Sequence, residues 1–218
     1  ATTAFTKATG NGNTNVHRIK LTGLQPNTLY HYQLTGQSAP GTDYTFWTLV
    51  NPGTKFRFVW QADFRSTPAV HDQIAARIWT NDRPLFVLEA GDTCQSGSYS
   101  AWHDEYFTAN QKELAKRMPV YPAAGNHEGW GALTQSYYQS PDSTGTNGYY
   151  SFDCGDLHVT MSNYETNYAV GSPQYNWVQQ DVQSSLKPWK IFGAHAPAYT
   201  WGSGSAHSGD ATYQGYTT

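Results

Sequence analysis

The residues best suited to chemistry stand where apolar runs stop. Asp63 closes Phe56-Arg57-Phe58-Val59-Trp60-Gln61-Ala62, and Gly91-Asp92 closes Leu85-Phe86-Val87-Leu88-Glu89-Ala90. Gly125-Asn126-His127-Glu128 follows Pro119-Val120-Tyr121-Pro122-Ala123-Ala124, and His195 closes Trp189-Lys190-Ile191-Phe192-Gly193-Ala194. Carboxylates, an amide oxygen and imidazoles are donors that hard and borderline metal ions accept. Imidazole also moves protons near neutral pH, and a glycine ahead of such residues lets two backbones approach closely. Alone, the Gly125 to Glu128 tetrapeptide reads equally well as a strand-to-helix turn with an Asn-His capping pair. Its company decides for chemistry, because four successive runs each deliver one metal-competent side chain.

Short apolar runs bounded by turn residues read as buried strands. A parallel sheet puts the C-terminal ends of its strands on one edge, so Asp63, Asp92, Asn126 and His195 are expected to converge there. The connecting elements follow from caps and periodicity. Thr67 caps a helix with Pro68 at its first position, and Val70, Ile74 and Ile78 form a stripe expected in the core. Asn81-Asp82-Arg83-Pro84 ends that helix, and Tyr99 to Lys116 reads as one helix carrying Trp102, Tyr106, Phe107 and Leu114. Tyr149-Phe152 and Leu157-Met161 form a hairpin about Cys154-Gly155. A helix from Ser172-Pro173 is expected to turn Trp177, Val178, Val182 and Leu186 inward. From Thr200 the chain is polar, and it reads as linker or as a loop bringing His207 to a ligand.

Residues 1–50 read as strands at Val16-Leu21, Leu29-Leu34 and Asp43-Thr48, and Asn51-Pro52-Gly53-Thr54 reads as a linker. Leu24-Gln25-Pro26-Asn27-Thr28-Leu29-Tyr30 is similar to the corner of fibronectin type III-like domains, where a Tyr hydroxyl ties the turn to the backbone.

The series Asp63, Gly91-Asp92, Gly125-Asn126-His127-Glu128, His195 resembles the calcineurin-like metallophosphoesterase family, and most nearly its purple acid phosphatase-like branch. That resemblance implies an α/β fold, a four-layer αββα sandwich over residues 51–218 lacking its C-terminal part. A partial all-β fibronectin type III-like domain would precede it over residues 1–50. It further implies phosphate ester hydrolysis at a binuclear centre of two divalent or trivalent ions, Fe, Zn or Mn. Asp92 would bridge them, Asp63 would bind one, and Asn126 and His195 the other. His127 would stand near the leaving group as acid or charge stabiliser, with Glu128 orienting it. Arg65 and His207 are the candidate substrate contacts.

Three departures from the family pattern stand out. Asp63-Phe64-Arg65 puts a cation where the family often has a ligating His, and Arg65 cannot bind metal but can hold phosphate. Gln95 stands where the purple enzymes have Tyr, so a tyrosinate charge-transfer colour is not expected. No Gly-His-x-His follows His195. The first expectation is therefore a fragment of a phosphoesterase whose residues 149–161 pack on the remaining polypeptide of the same protein or on a neighbouring subunit. The alternative is a catalytically silent scaffold or extracellular assembly protein on the same fold.

Composition narrows the setting. A formal charge of -3 supplies no basic face for nucleic acid, and no apolar stretch reaches membrane-span length. Aromatic residues make up 15% and charged residues only 13%, so polarity is carried by neutral side chains and a secreted, periplasmic or extracellular setting is expected. Cys94 and Cys154 fall at opposite ends of the expected sheet, too far apart to bridge.

Overall fold

The computed structural model describes residues 3–8, 15–33, 42–138, 148–200, 209 and 211–216. Two sheets form its centre. The first is parallel, with β5 (Phe58–Gln61), β6 (Phe86–Ala90) and β7 (Val120–Ala123) side by side in that order. In the second, β9 (Leu157–Met161) lies between β8 (Tyr150–Cys154), antiparallel to it, and β10 (Trp189–Gly193), parallel to it. Inner faces meet through Phe86, Leu88 and Ala123 on one side and Tyr150, Cys154, Leu157, Val159 and Met161 on the other. The Tyr150 hydroxyl crosses the interface to donate to the Pro122 carbonyl at 2.9 Å.

Helices cover both outer faces. Val87 of β6 packs with Ala75 of α1 (Pro68–Arg77), with Ile78 just beyond it, and with Leu114 and Met118. Leu114 belongs to α3 (Ala109–Ala115), which follows the short α2 (Tyr99–Ala101). After β7 comes α4 (Ala132–Tyr137). On the far side, α5 (Pro173–Ser184) lies over β9, where Asp181 accepts hydrogen bonds from Thr160 and Ser151 and pairs with His158. A last turn, α6 (Ala211–Gln214), buries Tyr213. The layers are therefore helices, sheet, sheet, helix, as the αββα expectation has it.

In the two central sheets and their helices, four details differ from the sequence reading. His195 follows β10 and so reaches the centre from the second sheet, not from the parallel sheet that carries the other three runs. Val70 and Ile74 are half exposed at 52% and 48%, whereas α1 buries His71, Ala75 and the adjoining Ile78. The imidazole of His71 stacks on Phe64 with centroids 3.8 Å apart, so a residue counted as polar supplies the apolar stripe. The expected Tyr99 to Lys116 helix breaks at Phe107, where a π-helical turn over Trp102–Tyr106 ends and the Thr108 hydroxyl caps α3 by accepting from Gln111 N. Leu186 lies past the end of α5 and is 98% exposed.

In the first fifty residues, β1 (Thr3–Ala8) pairs with β2 (Asn15–Lys20), and β3 (Leu29–Tyr32) with β4 (Tyr44–Trp47), each pair antiparallel. β1 is one strand more than the sequence reading found. The Tyr30 hydroxyl accepts from Gln25 N at 2.8 Å, which is the tie expected of the Leu24 to Tyr30 corner. Segment 51–54 is docked, since Gly155 N donates to the Val50 carbonyl and Gly53 N to Asp156 Oδ2, both at 2.9 Å.

Both faces of β9 are covered by this chain's own residues, one by the first sheet and one by α5. Among the described residues, the outer edge of β8 alone in this hairpin stays unpaired. Cys94 and Cys154 are buried free thiols in separate core clusters, and a bridge between them is not formed.

Glu89 is the one fully buried carboxylate on the helix-facing side of β6. It accepts from Gln61 Nε2 at 2.8 Å, Tyr106 Oη at 2.9 Å and Gln111 Nε2 at 3.1 Å. Burial outweighs those donors and pushes its carboxyl from 4.5 up to about 7. Turning over either amide, whose Oε1 atoms are buried without partners, gives the protonated carboxyl an acceptor.

Two predictions follow from this packing. Ile78→Ala should cost about 2–5 kcal/mol in urea unfolding and Val70→Ala under about 0.5; equal costs would return Val70 to the core. Because the folded carboxyl of Glu89 holds its proton to a higher pH than the unfolded one, its contribution to stability falls as pH rises from 4.5 to about 7. Glu89→Gln should flatten that slope, and an unchanged pH profile would contradict the assignment.

Candidate metal centre

Two strand ends of the first sheet carry their aspartates in an uncommon backbone state. Asp63 follows β5 and Asp92 follows β6, with φ of 57° and 52°. Asp tolerates the left-handed region better than most residues, and such strain persists where surrounding structure fixes it. Asp63 N donates to the Gly91 carbonyl at 3.1 Å and Arg65 N to the Asp92 carbonyl at 3.3 Å, locking the two loops together. At Gly91, φ is 84° and an added Cβ would lie 2.7 Å from Gly125 Cα and 2.8 Å from His195 Nδ1. Only glycine lets the three strand ends meet.

Asp63, Asp92 and His195 bring one ligand atom each within 4.8 Å of one another. His195 Nδ1–H donates to the Ala90 carbonyl at 2.8 Å, which fixes the tautomer and turns Nε2 towards Asn126 Oδ1 at 3.0 Å and Asp92 Oδ1 at 3.4 Å. In that tautomer Nε2 and Asn126 Oδ1 are both lone-pair donors facing each other, an arrangement that a cation between them relieves. Two carboxylates, an imidazole and an amide oxygen suit a hard or borderline ion, so the donor set fits a metal. Asp92 is fully buried while Asp63 is exposed, leaving the centre open on the Asp63 side. The four ligand candidates are thus brought together despite their origin in two sheets.

Glu128 does not hold His127. Its Oε1 accepts from Asp92 N at 3.1 Å and Gly125 N at 2.8 Å, and its Oε2 from Thr93 N at 3.3 Å. It clamps the β6 and β7 ends to each other. Burial, aided by the Asp92 charge, raises its carboxyl to about 7 against those N–H donors. The ring of His127 is oriented instead by Gln95, whose carbonyl lies 3.1 Å and whose Nε2 lies 3.2 Å from Nδ1. Its Nε2 comes 3.9 Å from Asp92 Oδ2, at the rim of the centre. Arg65 Nε lies 3.1 Å from the same oxygen. His207 lies outside the described residues.

Tyr164 and Glu165 escaped the sequence reading. Tyr164 meets the His195 ring edge-on at 5.4 Å, and the Glu165 carboxyl is raised by burial, with His195 pulling it down and Asp92 pushing it up. Both follow β9 closely, so the rule that found the four ligands would have found them had the polar run Ser162-Asn163 not masked the strand end.

A family model described as calcineurin-like phosphoesterase matches residues 60–216. Similar proteins from Arabidopsis thaliana include purple acid phosphatase 21, 29% identical over 215 residues, covering 89% of this chain and 46% of that protein. Probable inactive purple acid phosphatase 9 is 27% identical over 157 residues, covering 55% of this chain and 24% of that protein. The chain thus spans about half the length of purple acid phosphatase 21. A purple acid phosphatase structure from yellow lupin (Lupinus luteus) seeds superposes with a TM-score of 0.78 at 20% identity, over 100% of this chain and 49% of that one. At that identity the likeness establishes the fold.

The clamp makes a testable difference between neighbours in sequence. Glu128→Gln turns an N–H group towards N–H donors, so metal affinity by titration calorimetry should fall about 10–100-fold. His127→Ala should leave affinity within a few-fold. The opposite ranking would show that His127, not Glu128, shapes the centre.

Proposed function

Because the chain belongs to the calcineurin-like phosphoesterase family, we propose that it hydrolyses phosphate esters at the Asp63, Asp92, Asn126 and His195 centre. The observation that carries this reading is the convergence of those donors from two sheets, with the His195 lone pair held towards the Asn126 oxygen. A metal bound there would lower the pKa of a water and offset charge on the phosphoryl oxygens. The rest falls to the chain. The Gln95 carbonyl accepts from Nδ1–H of His127, which turns Nε2 to the centre, and once Nε2 is also protonated the imidazolium gives that proton to the departing oxygen and returns to the Nδ1–H form. Glu128 keeps the Asp92 and Gly125 backbones in register, and the closely packed glycines exclude solvent from the inner side of Asp92. His207 remains a proposed substrate contact.

The same reading takes residues 1–50 as part of a fibronectin type III-like domain, supported by the Tyr30 tie, and 51–218 as the catalytic unit. It places the protein outside the cytoplasm, in keeping with its neutral-polar composition. Among the described residues no helix is long and apolar enough to cross a membrane.

Hydrolysis of an aryl phosphate by the intact, metal-loaded protein tests the proposal. Turnover should vanish on chelation, return with metal, and fall about 10²–10⁴-fold in His127→Ala. A metal-replete protein without turnover on monoester or diester substrates would favour the silent scaffold, a reading that relatives named as probably inactive keep in view.

A further inference from the structure

We propose that the centre holds one metal ion, and that the guanidinium of Arg65 stands where a second cation would sit. The inference rests on reading this cluster as a metal centre, and it replaces the two-ion expectation drawn from resemblance.

Asp92 is the residue that would have to bridge two ions, one on each carboxylate oxygen. Its oxygens have different neighbours. Oδ1 accepts from His127 N at 3.1 Å and lies 3.4 Å from His195 Nε2, on the ligand side. Oδ2 lies 3.1 Å from Arg65 Nε, with His127 Nε2 farther off at 3.9 Å. Both Oδ2 and Arg65 Nε are buried, and neither makes a directed hydrogen bond, so they are held together by charge alone. A guanidinium carries five N–H groups, no acceptor, and a charge that it does not give up inside proteins. It can neutralise a carboxylate as a metal ion does, and it cannot ligate one.

The surroundings of Oδ2 support the same assignment. Gln95, three residues past Asp92, has its carbonyl accepting from His127 Nδ1–H and its backbone N donating to Glu105 Oε2 at 2.6 Å. The Arg65 side chain is 22% exposed, so it enters from the rim while Asp92 is closed to solvent. Asp63, Asp92 and His195 each bring one ligand atom to the same cluster. One ligand imidazole and one fixed cation therefore face the two oxygens of a single carboxylate.

Metal stoichiometry decides the matter without reference to turnover. Full-length protein, stripped by chelation, is dialysed against Mn(II), and bound metal is measured by elemental analysis alongside electron paramagnetic resonance. Wild type should take up one equivalent and show the hyperfine pattern of an isolated Mn(II). Arg65→Lys, which keeps the charge, should do the same. Arg65→His, which offers a neutral donor, should take up two equivalents with an exchange-coupled spectrum, and Arg65→Gln serves if the His variant fails to fold by circular dichroism. Two coupled ions in wild type, no bound ion, or folded neutral variants that stay at one ion would each overturn the proposal. One ion without aryl phosphate turnover would sink the phosphoesterase reading and leave this one standing; two ions with turnover would do the reverse.

Discussion

A carboxylate sealed from water needs positive charge or N–H donors around it, and Asp92 is sealed completely. The structure meets that need in part from its own groups. Backbone N–H of His127 donates to one oxygen and the guanidinium of Arg65 stands by the other, while His195 turns the lone pair of Nε2 towards the first. The approach is possible only because Gly91 and Gly125 carry no Cβ, and because Glu128 pulls both strand ends together through their backbone N–H groups. Two sheets packed face to face supply the frame, since His195 arrives from the second and its Nδ1–H is fixed by the carbonyl of Ala90 in the first. Core packing and ligand geometry are therefore one problem, and a shift between the sheets would move His195 off Asp92.

Much of this was legible in the sequence because apolar runs end where strands end, and polar side chains there have one edge to occupy. Asp63, Asp92, Asn126 and His195 were all found that way. The sheet membership of β10 was not, because a strand's apolar character is the same whichever sheet receives it; the hairpin β8–β9 starts a new sheet between β7 and β10. The α1 stripe was misread for a related reason. Periodicity scores residue types, and the buried position went to His71, whose ring is stacked on Phe64 and held neutral, with its pKa lowered to about 4 by burial. Left-handed backbone at Asp63 and Asp92 left no mark in the sequence beyond the glycine preceding Asp92.

Glu128 shows the limit of reasoning from adjacency. Next to His127 in sequence, it faces the protein interior while the imidazole faces the rim, because the turn after Gly125 sends successive side chains in different directions. The residue that positions His127 is Gln95, thirty-two positions earlier in the chain. Arg65 is expected as a phosphate contact, and its Nε also lies 3.1 Å from the central carboxylate. A site's departures from its family are thus as informative as its matches, once the partner of each departing side chain is known.

The central claim is that these strand ends make a metal centre. Diffraction from crystals of the intact protein grown with Zn(II), measured on both sides of the zinc absorption edge, tests it most directly. The account predicts an anomalous peak at about 2.0–2.2 Å from a carboxylate oxygen of Asp63, a carboxylate oxygen of Asp92 and Nε2 of His195. A loaded crystal with no peak there, and with His195 Nε2 donating a hydrogen bond to Asn126 Oδ1 instead, would contradict it.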